Sequence, residues 1–144
     1  LADEKFENEF FHAMSKTLIW HSRERFKRAA KVMAWGREDS DNAMQMAGAK
    51  AVRRIAMELD TISPRFREGI LSPLLKHRDP SIRIAAAASL ALRAPHKAIP
   101  VLEHISDHDR DPAHRLNAGQ ILMLHRFGDL GWLAGERLPE QSKR

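Results

Sequence analysis

Two groups of residues in this 144-residue chain have types and spacing that could do chemistry. In the first, His104, Asp107, His108, Asp109, Asp111 and His114 crowd into one short segment. His104 and His108 stand four residues apart, so on a helix they share a face, and Asp111 or His114 would complete a borderline metal site. Helix caps and solvated loops collect the same residue types, and Asp111 before Pro112 reads as an N-cap. The expectation is therefore a structural segment, with no metal and no cofactor. His114 and His125 are read as satisfying local hydrogen bonds.

The second group is Lys16, Trp20, Arg23, Lys27 and Lys31, whose three- and four-residue steps line cations and one aromatic along one side of a helix. Such a face can follow phosphates, with Trp20 stacking or packing on a sugar. Read as a solvated face instead, it would turn Trp20 into the core. Lys50, Arg53 and Arg54 add a basic outer face to a later helix. Catalytic signatures are missing: the sequence holds no phosphate loop, dinucleotide fingerprint, HExxH zinc helix or GxSxG elbow. The expectation is a protein that is not an enzyme.

The elements that must position these groups are helices. Residues 3–35 contain neither glycine nor proline, which predicts two helices broken near His21, or one long helix, with Gly36 as the stop. Phe6, Phe10, Met14, Thr17 and Leu18 form one apolar stripe there, and Phe26, Ala29, Ala30 and Met33 form another. A third helix carries Met44, Ala47, Gly48, Ala51, Val52, Ile55 and Leu59. Ser63 and Pro64 open a helix over 64–76 that Pro73 should kink, because proline removes one hydrogen bond and presses on the carbonyl of Gly69. Asp79 and Pro80 open the next, over 80–93, on the buried spacing of Ile82, Ala85, Ala86, Ser89 and Leu90. After a short connection through Pro95 come a helix with Pro100 in its opening turn and a last helix over 112–127. Leu130, Trp132 and Leu133 are expected to fold over the open end.

One unit recurs. Thirty-two residues after Asp79, Pro80, Arg83, Ala86 and Leu90 stand Asp111, Pro112, Arg115, Ala118 and Leu122, a fixed period with matching roles. The stretches DPSIRIAAAASL and DPAHRLNAGQIL resemble the turn and second helix of HEAT repeats. The run 27–128 also resembles a small bacterial HEAT-like family without an assigned function, through PLLKHRDPSIRIAAAASL, AIPVLEHISD and LMLHRFGD. The resemblance implies an all-α, right-handed α-α superhelix of about six or seven helices. It also implies a hydrogen-bonded ladder between repeats, formed by Asp79 and Asp111 with Arg83 and Arg115. A single domain is expected: capping helices in 1–36, a degenerate and a first clear repeat in 41–93, a second clear repeat in 96–127, and a cap and tail in 128–144. Alkylpurine DNA glycosylases cradle DNA on a basic face of HEAT-like repeats, but they use a larger stack, and their catalytic acid and aromatic set has no counterpart here.

Composition agrees with a globular chain, at 43% hydrophobic and 30% charged residues. The formal charge of +5 favours acidic partners, and the absence of cysteine excludes disulfides and thiolate metal sites. The longest apolar run, 84–92, is too short to span a bilayer and nothing at the amino end reads as a signal peptide, so no membrane and a cytoplasmic location are expected. The expected function is non-enzymatic binding of a protein partner, an acidic one suiting the charge, through Lys50, Arg53, Arg54 and the Lys16 to Lys31 stripe. A bacterial toxin-neutralising immunity protein or a regulatory adaptor would suit that role. The alternative is nucleic-acid binding through the same basic face.

Overall fold

The computed structural model describes residues 2–63 and 65–128, with side chains from residue 15 onward. Among the described residues there are six α-helices, one 3-10 helix and no strand. They are α1 (Ala2–Glu38), α2 (Asn42–Ile62), α3 (Phe66–Leu71), the 3-10 helix Ser72–Lys76, α4 (Pro80–Leu90), α5 (Pro95–His108) and α6 (Pro112–Arg126). None of them is long and apolar enough to cross a membrane.

The amino-terminal segment is one helix, so the expected break near His21 does not occur. With 37 residues at a rise of about 1.5 Å each, α1 is roughly 55 Å long. Gly36 is not its stop either. The helix runs through it and closes two residues later: Ser40 adopts φ 55, its N–H donates to Arg37 O at 3.3 Å, and Asp41 N–H donates to Gly36 O at 2.8 Å. That pair of bonds is the Schellman turn, here with serine in the left-handed position. Gly36 serves a different need. A Cβ on it would lie 2.3 Å from the backbone nitrogen of Gln45, so its missing side chain lets the start of α2 fold back against α1. Gly48 repeats the device, since a Cβ there would lie 2.4 Å from Met33 N.

Pro73 acts more strongly than a kink. The α-helix ends at Leu71 and the chain continues as the 3-10 helix, whose i to i+3 bonds accommodate a proline that cannot donate to Gly69. Asp79 and Asp111 are the caps expected of them: their side chains accept from Ser81 N and Ala113 N, with Pro80 and Pro112 at the first helical position. Pro95 belongs to α5 as its first residue rather than to a connection, which places Pro100 past the opening turn and inside the helix.

Phe26, Ala29 and Ala30 of α1 meet Val52, Ile55 and Leu59 of α2, and the same cluster continues through Ile70, Leu74, Ile84, Ala86, Leu90, Leu102 and Ile105 to Ala118 and Ile121 of α6. α1 packs against α2, α3 and α4, while α4 packs against both α5 and α6. Thr17 and Leu18, expected on an apolar stripe, are exposed. The side chains of Phe6, Phe10 and Met14, residue Pro64, and the expected cap of Leu130, Trp132 and Leu133 lie outside the described residues.

Candidate functional site

The basic stripe lies on α1 as its spacing predicts, but its members have different fates. Arg23 donates through Nε to the carbonyl of Ile70 at 2.9 Å, closing the end of α3. Lys27 Nζ lies 2.6 Å from Glu24 Oε1 on the same helix. Lys31 Nζ donates to Asp79 Oδ2 at 2.6 Å, tying α1 to the turn before α4. Lys16 is exposed, and Trp20, at 63% exposure, faces solvent and not the core. On α2, Lys50 and Arg54 are exposed and Arg53 is half-buried with a partner. At about 1.5 Å per residue Lys16 and Lys31 are roughly 22 Å apart along α1, so the stripe is a long edge and not one site.

Its carboxyl-terminal part does border a cleft. Lys27, Arg28, Lys31, Val32 and Trp35 of α1 form one wall, and His77 and Ile82 the other, around a volume of about 450 Å³. The 3-10 helix ends at Lys76 and His77 turns extended (ψ 144), which brings the turn across α1. His77 Nδ1 accepts from Asp79 N at 3.0 Å, so the proton of its neutral ring sits on Nε2. Burial pushes the Asp79 carboxyl up, but the Lys31 ammonium and the Ser81 N–H outweigh it and hold the group below the usual carboxylate range. Trp35 is 48% exposed, with Lys31 Nζ 5.8 Å from its ring centroid. Buried Ile82 and half-buried Val32 supply apolar surface, and exposed Arg28 holds a fork of donors at the rim. Such a cleft can take an apolar side chain beside a carboxylate. It holds no nucleophile and base in hydrogen-bond reach.

Lys50, Arg53 and Arg54 do not line this cleft. Trp35, Arg28 and His77 were not singled out by sequence. Trp35 continues the four-residue steps from Lys27 and Lys31, a signal obscured by reading Gly36 as the helix end; His77 enters only through the turn. A wider groove of about 1210 Å³ separates α3 and the 3-10 helix from α5, and the Lys97 to Glu68 ion pair, at 2.8 Å, spans it. That pair was not singled out by sequence, and Pro73 in the wall was marked only as a kink.

The expected ladder partners have other contacts. Asp79 takes Ser81 and Lys31, Asp111 takes Ala113, and Arg115 Nη1 donates to the carbonyls of Asp109 at 2.6 Å and Arg110 at 3.4 Å. In the metal-type segment His114 Nδ1 lies 3.1 Å from Asp109 Oδ1, while the His104 and His108 rings meet at a tilt of 48° with centroids 4.9 Å apart. Among the described residues no three such side chains converge as a metal ion would require. No protein-family model, curated protein or solved structure matches the chain.

Proposed function

We propose that the chain is a non-enzymatic binding module built on two stacked HEAT-like repeats in a right-handed superhelix, α3 with α4 and α5 with α6. Its partner is a protein presenting acidic groups, gripped at the cleft beside α1. Support for the repeats comes from the two caps, whose backbones agree closely (φ −83, ψ 117 at Asp79; φ −86, ψ 118 at Asp111). The helices they open touch, with Ser81 Oγ 3.4 Å from His114 Nε2.

The observation that carries the binding role is the half-exposed Trp35 beside Lys27, Arg28 and Lys31 over apolar Val32 and Ile82. Tryptophan and arginine contribute most where an apolar pocket can be desolvated, and exposed Arg28 is the cation at the cleft that favours an acidic group. Nucleic acid is the second reading, favoured by exposed Lys16, Trp20 and Arg28. It is weakened because Arg23, Lys27 and Lys31 already hold internal partners, which leaves fewer cations to displace counterions from phosphates.

The test is affinity purification of the tagged chain from cells of its source, beside Trp35→Ala and Arg28→Glu. One stoichiometric protein, resistant to nuclease and lost with either variant, is expected. A companion retained by both variants, or binding that is nuclease-sensitive and falls steeply with salt, would exclude the cleft as a protein site.

A further inference from the structure

Arg83 occupies the ladder position of α4, yet its guanidinium has no ladder partner. Its Nε is buried and finds no hydrogen-bond acceptor among the described residues. The guanidinium charge does act on the nearby Asp109 carboxylate, helping to hold it below its ordinary range, but a buried donor on a permanent cation is normally hydrogen-bonded, so the bare Nε calls for a physical reason. The side chain borders a small cleft of about 170 Å³ whose other walls are His104, Ile105, His108, Asp109 and Arg110.

The charged and titratable groups around this cleft are unequal in sign. α4 brings Arg83, α5 brings His104 and His108, and the turn before α6 brings Arg110 and Asp109. The one carboxylate is already occupied: Asp109 Oδ1 accepts from Asp111 N at 2.9 Å and lies 3.1 Å from His114 Nδ1, by which α6 reaches the cleft. Arg115, also on α6, is turned to the carbonyls of Asp109 and Arg110. Donors therefore approach from three chain segments with a single carboxylate, that of Asp109, to balance them. The volume is below the roughly 300–1,000 Å³ of an organic-ligand pocket and suits a group of a few heavy atoms.

From this we infer that the cleft between α4 and the α5–α6 turn binds a small tetrahedral dianion of the phosphate class, received by the Arg83 guanidinium, His104, His108 and Arg110. The site shares no residue with the cleft beside α1 and stands whether or not that one binds a protein. An oxyanion at Arg83 supplies the acceptor its Nε lacks, and charge-assisted bonds of this kind are the strong ones.

The test is a titration of the full chain followed by NMR, reading the imidazole C–H signals of His104 and His108 and the Arg83 Nε–H. Sodium sulfate is the main probe, because it is fully a dianion at neutral pH. Inorganic phosphate and phenyl phosphate form the other arms, and sodium chloride at matched ionic strength is the blank. Saturable shifts of all three signals are expected, with a dissociation constant on the order of 1 mM. Tighter binding of phenyl phosphate would assign the dianion to an ester on a larger molecule, and equal binding to the free ion. Arg83→Gln should weaken sulfate about tenfold. Arg83→Gln also removes a charge that acts on Asp109, so its thermal melt is compared with that of the parent, and Arg110→Gln, at an exposed position, gives a second reading that does not depend on folding. Shifts that match chloride, or the same affinity in both variants as in the parent, would overturn the site.

Discussion

Arg67 is fully buried, and no apolar pattern in the sequence marks it. From α3 its guanidinium reaches Asp60 Oδ2 and the carbonyl of Ala56 on α2, and the carbonyl of Ser89 on α4, so one side chain joins three successive helices. Removing the carboxylate takes an ionic partner from a fully buried cation. Asp60→Ala should cost about 3 kcal/mol in urea unfolding, and Arg93→Ala, which removes a more exposed partner of the same carboxylate, distinctly less. Equal losses would show that burial of Arg67 is not what the pair serves. Asp79 gives a pH-dependent counterpart. Its folded carboxyl titrates below the ordinary aspartate range, so the unfolded chain binds the proton first. The stability it contributes is present above the unfolded value of about 4 and is lost as pH falls through the folded one. In Lys31→Met that acid-dependent part should shrink, seen as a flatter decline in melting temperature below about pH 4. An unchanged decline would mean the ammonium does not hold the carboxylate.

At the scale of elements, the hairpin of α1 and α2 depends on two glycines that let backbones meet. Gly48→Ala would ordinarily favour a helix by about 1 kcal/mol. Here the added methyl meets Met33 backbone at 2.4 and 2.6 Å, so the helices must separate and the variant should be less stable than the parent in spite of propensity. A more stable variant would contradict the close approach. The same glycines explain what the sequence could and could not reveal. Asp79 with Pro80 and Asp111 with Pro112 were legible because a cap and a first-turn proline act locally. Gly36 was misread because a glycine near a helix end looks alike whether it terminates the helix or admits a neighbour; only the position of Gln45 distinguishes the two. Pro73 was legible as a disturbance, while its resolution into a 3-10 helix depends on how Leu74 and Leu75 bury. The stripe on α1 was legible as a face. Which cations it leaves for a partner was not, because Ile70 and Asp79 come from distant parts of the chain.

For the whole molecule, one continuous core runs from Phe26 to Ile121, and α1 lies along much of it. Besides its contacts with α2, α3 and α4, it reaches α6 near its end: with the Asn117 amide turned to present its oxygen, Arg37 Nη1 and Nη2 lie 3.2 and 3.3 Å away. Burial draws the Arg37 guanidinium below its ordinary value. A helix joined to α2, α3, α4 and α6 is held along much of its length, and under the proposed binding role the rigid placement of Trp35 would reduce the ordering cost of binding. The most direct measurement is photo-crosslinking in cells of the source from a benzophenone amino acid at position 35, beside the same residue at exposed position 54 on α2. The account predicts one nuclease-resistant protein adduct from position 35, competed away by the untagged parent chain but not by Arg28→Glu. Adducts of equal yield from both positions, or adducts to nucleic acid, would contradict it.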